Sequence, residues 1–162
     1  LFPKKEDVED KSLPGLFPPD FWNYGMFKGI SEWANKPVSP GTLGILTEPD
    51  HPIFKAFPTE FHTNWQWFSI IKESNSFILD DFPKNYFPII QVIDNLERNH
   101  KLGLIFELKV GKGKLLVCLS HINKKTDRPE AKQLFQSILN YMDSEKFNPQ
   151  FKFNRDYLDY FF

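Results

Sequence analysis

The clearest hydrophobic pattern in this chain lies between residues 102 and 119. Apolar residues alternate with other residues from Leu102 to Val110, and residues 115–119 (LLVCL) form an unbroken apolar run. The sequence Gly-Lys-Gly at positions 111–113 separates the two segments. Alternation is typical of a strand, and glycine supplies the backbone freedom of a tight turn. We predict a β-hairpin whose second strand is buried on both faces.

An amphipathic helix is predicted after this hairpin. Asp127 is a candidate N-cap, Pro129 fits the first turn, and Glu130 stands three residues beyond the cap. Apolar residues then recur at three- and four-residue spacing: Ala131, Leu134, Phe135, Ile138, Leu139 and Met142. This stripe is expected to pack on a sheet.

Shorter strands are predicted at residues 42–46, 77–80 and 88–93, the last rich in β-branched residues. Residues 53–67 fit a helical turn followed by an extended aromatic segment. Together the patterns predict an α/β domain with a mixed parallel and antiparallel sheet, a β-hairpin and a C-terminal helix.

The flanking segments differ from this central part. Residues 1–40 contain six prolines and are predicted to be an irregular aromatic segment packed on the domain. Residues 41–146 are the expected α/β domain. Residues 147–162 form an aromatic tail that either folds back on the domain or docks on a neighbour.

Composition narrows the classes of function. Twenty basic and twenty-one acidic residues leave a net charge of −1, which argues against a nucleic-acid surface. No apolar run reaches the ~18 residues of a membrane span, and one cysteine cannot form an intramolecular disulfide. The chain's 162 residues include eighteen Phe, five Tyr and four Trp, which imply a dense core or a surface that meets another molecule.

The residues that could take part in catalysis are more simply interpreted as parts of the fold. Cys118 and His121 are candidates for a nucleophile and its base, but Cys118 stands inside an apolar strand and is predicted to be core. The adjacent Asp80 and Asp81, with Glu48 and Glu60, show no spacing that fixes a glycosidase carboxylate pair.

Metal and phosphate sites are not predicted. The four histidines lack the close spacing of a metal site, and only one thiol could assist them: His51, His62, His100 and His121. The glycines at 111 and 113 join two strands, unlike a phosphate-binding loop.

Residues 61–68 (FHTNWQWF) are the best candidate contact site. In an extended strand Trp65 and Trp67 would lie on one face, where their rings could stack on a sugar while His62 and Asn64 supply hydrogen bonds. The same rings could form an interdomain contact or ordinary core. Trp22, in the aromatic run 21–27, is a further candidate for such contacts.

Several of these segments, in order, resemble the C-terminal region of glycoside hydrolase family 2 proteins from Bacteroidetes. They are residues 41–54 (GTLGILTEPDHPIF), 57–68 (FPTEFHTNWQWF), 88–95 (PIIQVIDN), 101–107 (KLGLIFE) and 110–118 (VGKGKLLVC). The likeness extends over about residues 3 to 149.

The resemblance implies an accessory domain of a β-galactosidase- or β-glucuronidase-like protein. It also implies a flavodoxin-like (glutamine-amidotransferase-like) fold without the catalytic cysteine, whose first strands are cut or missing here. No catalytic residue, cofactor or metal is carried over, and the implied partners are the parent's catalytic domains. We therefore expect a non-catalytic domain for interdomain docking or oligomerisation, or alternatively a carbohydrate-binding module, in a periplasmic or extracellular parent.

Overall fold

A computed structural model describes residues 1–4, 6–17, 24–125 and 127–153. Its six strands are β1 (Ser12–Pro14), β2 (Ile45–Thr47), β3 (Asn75–Ile78), β4 (Ile90–Val92), β5 (Leu102–Val110) and β6 (Gly113–Cys118). Its three α-helices are α1 (Tyr24–Trp33), α2 (Phe68–Ile71) and α3 (Pro129–Met142). Short 3₁₀ turns lie at Glu6–Lys11, Pro52–Phe54, Trp65–Trp67 and Ile122–Lys124.

The strands form one sheet built around β5. The order is β1-β3-β5-β4-β2, and β6 also pairs with β5. Leu102 pairs with β3 on one side and β4 on the other, whereas Ile105 pairs with β4 and with Cys118 of β6. Strands β3 and β6 therefore lie end to end along the same edge of β5.

The predicted hairpin is confirmed. Its register pairs Val110 with Gly113 across a two-residue turn, and Gly111 adopts a φ of 59°, which favours glycine. Leu116, Val117 and Cys118 are buried, as expected for a strand enclosed on both faces. β5 is also buried on both faces along residues 102–106, although its sequence alternates.

The predicted C-terminal helix is confirmed as α3, but its cap is different. The N-cap residue is Arg128, with no side-chain cap hydrogen bond, so Asp127 does not have the predicted role. Ala131, Leu134 and Ile138 are buried, whereas Leu139 remains substantially exposed. The buried stripe is thus narrower than the sequence predicts.

The α/β content is confirmed, but the predicted parallel part of the sheet is not found. Every pairing between the six strands is antiparallel. A parallel register appears only in the isolated bridge between Lys109 and Lys152 among the described residues. A flavodoxin-like sheet has parallel strands joined by crossover helices, so these pairings leave that assignment unconfirmed.

Both flanking segments contribute to the sheet. β1 pairs with β3, and α1 forms within the stretch predicted to be irregular. At the other end Phe151 O accepts from Lys109 N at 2.7 Å, and Lys109 O accepts from Phe153 N at 2.9 Å. The described part of the aromatic tail thus folds back on the domain, while residues 154–162 lie outside the described residues.

Among the described residues, none of the helices has the length and the apolar character that a membrane crossing requires.

Candidate functional site: an aromatic cluster beside a polar groove

Residues 64–67 form a capped 3₁₀ turn, so the predicted extended strand is wrong here. Asn64 is the N-cap, and its side-chain oxygen accepts a hydrogen bond from Gln66 N at 3.2 Å. In this turn Trp65 and Trp67 point to different environments: Trp65 is 78% exposed and Trp67 is fully buried. The two rings therefore do not form a shared stacking platform.

Trp67 is a core residue. Its ring packs edge-on against Phe54 and Phe57, with centroids 6.3 and 5.2 Å away. The indole Nε1 donates to Thr59 Oγ1 at 2.8 Å, which satisfies the one polar group of this buried side chain. The sequence left three roles open for Trp67, namely sugar stacking, an interdomain contact and ordinary core. Its burial identifies it as a core residue.

Trp65 belongs to a surface cluster with Phe17 and Phe68, which we call the aromatic cluster. The Trp65 centroid lies 5.4 Å from Phe17 and 5.6 Å from Phe68, and the two Phe rings are 5.2 Å apart. The ammonium of Lys72 lies 5.7 Å from the Phe68 centroid, within cation–π range. Phe68 is the last residue of the contact segment predicted at 61–68. Phe17 was not predicted as a site residue, because only folding brings positions 17 and 65 together.

A polar groove with a volume of about 1050 Å³ borders this cluster, since Phe68 and the adjacent Lys72 both line it. Its basic lining residues are Lys4, Lys72, His121, Lys124, Lys125 and Arg128, and its acidic ones are Glu6, Glu73, Asp127 and Glu130. Both signs of charge are present, so the groove does not single out an anion or a cation by charge alone.

The side chains of Lys125 and Ser69 build the wall of the groove through hydrogen bonds. Lys125 Nζ donates to the carbonyl oxygens of Ser69 and Lys72 at 2.6 and 2.7 Å, closing the end of α2. Burial lowers the pKa of this lysine. Ser69 Oγ donates to the Glu130 carboxylate, and this hydrogen bond lowers the pKa of Glu130. The hydrogen bond between Ser69 and Glu130 therefore links this wall to α3.

The remaining predicted contact residues are not gathered around Trp65. His62 is exposed and lies 3.6 Å from a Glu60 carboxylate oxygen, while its Nδ1 is 3.0 Å from the Thr63 carbonyl. The Asn64 oxygen already caps the turn. Trp22 lies outside the described residues. The structure thus brings Trp65 together with Phe17 and Phe68 instead.

Cys118 is core, as predicted. It is fully buried, and burial raises the pKa of its thiol. The Cys118 Sγ lies 3.1 Å from Ser120 Oγ, and His121 begins a separate 3₁₀ turn with a φ of 52°. A buried thiol with a raised pKa is a poor nucleophile.

Two of the four carboxylates considered for catalysis, those of Asp80 and Glu60, have structural partners. Asp80 accepts from Lys101 N at 2.7 Å and lies 2.6 Å from His100 Nδ1, which fixes the start of β5. Glu60 pairs with His62 in another loop. Within the described part of the chain, no group of three or more His, Cys, Asp or Glu side chains is placed to hold a metal ion.

Sequence reasoning missed a partly buried polar cluster around Glu107. Tyr141 OH donates to the Glu107 carboxylate at 2.8 Å, and Tyr86 OH donates to the Glu107 carbonyl at 3.0 Å. Burial raises the pKa values of Glu107, Tyr86 and Tyr141. The only sequence signal is one acidic residue within the apolar strand β5. The contacts connect this strand to α3, so the cluster has a structural role.

Over its whole length, residues 1–162, the chain matches a family described as a domain of unknown function (DUF8487), and it belongs to that family. No curated protein matches the sequence.

Proposed function

We propose that this domain is a non-catalytic accessory domain of a glycoside hydrolase and docks on other domains of its parent through the aromatic cluster. The observation that carries the docking role is the exposure of Trp65 within a three-ring group. Trp and Phe are enriched where protein surfaces meet, because their rings bury large areas at low entropic cost.

The glycosidase context comes from the ordered resemblance of residues 41–118 to family 2 C-terminal regions. That resemblance supports a parent that hydrolyses O-glycosyl bonds in the periplasm or outside the cell. The non-catalytic role is supported by the burial of Cys118 and by the separate structural partners of Asp80 and Glu60. The glutamine-amidotransferase-like likeness is not required for this role, since docking depends on the surface rather than on the sheet's connectivity.

The docking role is tested in the natural full-length polypeptide. In calorimetry, Trp65→Ala should make this domain and the catalytic part unfold in two separate transitions, because the contact that couples them is lost. The fold of the domain should stay intact. Phe87→Ala is the matched control, since Phe87 is also a highly exposed ring but contacts Lys101 instead. If the full-length polypeptide has no glycosidase activity on β-galactosides and β-glucuronides, the proposal that the parent is a glycoside hydrolase is wrong.

If both variants behave identically in calorimetry, the aromatic cluster is not the docking surface.

A second candidate is carbohydrate binding, favoured by the polar groove beside the aromatic cluster. A sugar could stack on Trp65 while polar groups of the groove wall accept or donate hydrogen bonds. Titration calorimetry of the isolated chain with β-linked oligosaccharides would then give a binding isotherm that Trp65→Ala abolishes and Phe87→Ala preserves. A flat isotherm at millimolar ligand would eliminate this candidate.

A further inference from the structure

Helix α1 presents its apolar side to solvent. Met26, Phe27, Ile30 and Trp33 are all exposed, with Trp33 at 88%, and no residue of the helix is buried. Their spacing of one, four and seven residues places them on one stripe of the helix. We call these four residues the α1 stripe.

The opposite side of α1 makes its contacts with the domain. Lys28 Nζ lies 3.2 Å from Glu97 Oε2. The Tyr24 ring packs close to Gly41, where a Cβ atom would come within 2.5 Å of Tyr24 Cε2. Tyr24 and Lys28 are four residues apart and lie on one side of the helix. The usual arrangement of a surface helix, apolar side inward and polar side outward, is thus reversed.

The helix also has weak intrinsic support. It has ten residues, includes Gly25 and Gly29, and has no fully buried side chain. Short helices are marginal in water, and glycine is the least favourable interior residue after proline. Helices in proteins are stabilised mainly by packing of an apolar face. A partner that covers the α1 stripe would therefore supply the packing that stabilises this helix.

We propose that the α1 stripe docks into an apolar groove on another domain of the same polypeptide. Anchors at these spacings are the pattern by which an amphipathic helix is held in a groove. This inference rests on the proposed function, which places the domain in a larger enzyme.

The size of the stripe favours a linked partner over a second copy. A ten-residue helix is about 15 Å long, and one stripe of this length is small beside the ~800 Å² per partner of a standard stable interface. A covalent link raises the effective concentration to the millimolar range and makes a small contact sufficient.

The charges of α1 argue against a membrane surface as the partner. Helices that lie on membranes carry Lys and Arg on their polar face. In α1 the only cation is Lys28, which pairs with Glu97, and Glu32 adds an acidic side chain.

The test is hydrogen exchange of the α1 amides in the isolated 162-residue chain and in the natural full-length polypeptide. We expect fast exchange in the isolated chain and at least ~10-fold slower exchange in the full-length polypeptide. An Ile30→Ala/Trp33→Ala double variant should lose that protection, and Glu32→Ala should keep it. Alanine favours the helix, so lost protection would report lost docking rather than a weakened helix.

Three outcomes would overturn the inference. The first is equal exchange in both proteins, including the case in which no further domain exists. The second is strong protection of the α1 amides already in the isolated chain. Sedimentation would then show whether a second copy or a segment of this chain covers the α1 stripe. The third is protection that persists in the double variant. Glycosidase activity of the same full-length polypeptide is read separately, so failure of the proposed function is distinguishable from failure of this docking site.

Discussion

Trp65 and Trp67 stand in one 3₁₀ turn, yet Trp65 is 78% exposed and Trp67 is fully buried. The turn places the first ring against Phe17 and Phe68 and the second against Phe54 and Phe57. One tryptophan is therefore available for recognition, and the other stabilises the domain.

Substitution should separate these two roles. Trp67→Ala removes a buried ring and its hydrogen bond to Thr59, and we expect it to lower the free energy of unfolding by about 3–5 kcal/mol. Trp65→Ala should cost less than about 1 kcal/mol, because the ring is mostly in water. Urea denaturation followed by circular dichroism measures both, and equal costs for the two variants would contradict the burial pattern.

Cys118 should resist alkylation in the native protein. Its sulfur is fully buried and its pKa is raised by burial, so reaction requires opening of the sheet. We expect iodoacetamide to modify the native thiol at least ~100-fold more slowly than the urea-unfolded one. Mass spectrometry over time reports the rate, and rapid native modification would place Cys118 at an accessible site.

Asp94→Asn should destabilise the domain by about 2–4 kcal/mol. The Asp94 side chain is almost fully buried, and its Oδ1 accepts from Arg98 Nη2 at 2.6 Å. Burial alone would raise the pKa of Asp94, but hydrogen bonds from Arg98, His100 N and Asn95 N lower it below its ordinary 3.8.

The stability that this carboxylate contributes is present above pH 3.8 and is lost as the pH falls through the lower folded-state pKa. Asp94→Asn should therefore remove part of the acid sensitivity in that range. Glu97→Gln is the control, since Glu97 forms an exposed ion pair with Lys28 and should change stability little. Denaturation midpoints for both variants between pH 2 and 7 provide the test.

Glu107→Gln is expected to have the opposite pH signature. Burial raises the pKa of Glu107 above its ordinary 4.5 in the folded state, so protonation favours folding. Its contribution is fully present below pH 4.5 and is lost as the pH rises through the folded-state pKa.

A glutamine at position 107 can still accept the hydrogen bond from Tyr141 OH. It carries no charge, so its burial does not have the desolvation cost of a carboxylate. The variant should match or exceed the native stability at pH 7, by no more than about 1 kcal/mol, and should flatten the pH dependence above 4.5. A loss of stability at pH 7 would show that the carboxylate's charge stabilises the fold.

Local sequence pattern was sufficient to predict the hairpin at Gly111, the C-terminal helix from Pro129 and the burial of Cys118. These features depend on turn chemistry and on periodicity within a few residues. Pairing across the sheet was not accessible in this way. The antiparallel order around β5 joins segments from residues 12 to 118, and alternation along one strand does not reveal its neighbours.

The roles of the aromatic residues depend on tertiary contacts. A three-residue turn capped by Asn64 places Trp65 outward and Trp67 inward, whereas the sequence pattern predicts an extended segment with both rings on one face. Phe17 joins Trp65 from 48 positions away. The role of an aromatic ring depends on which surfaces bury it. That information resides in long-range packing rather than in the local sequence.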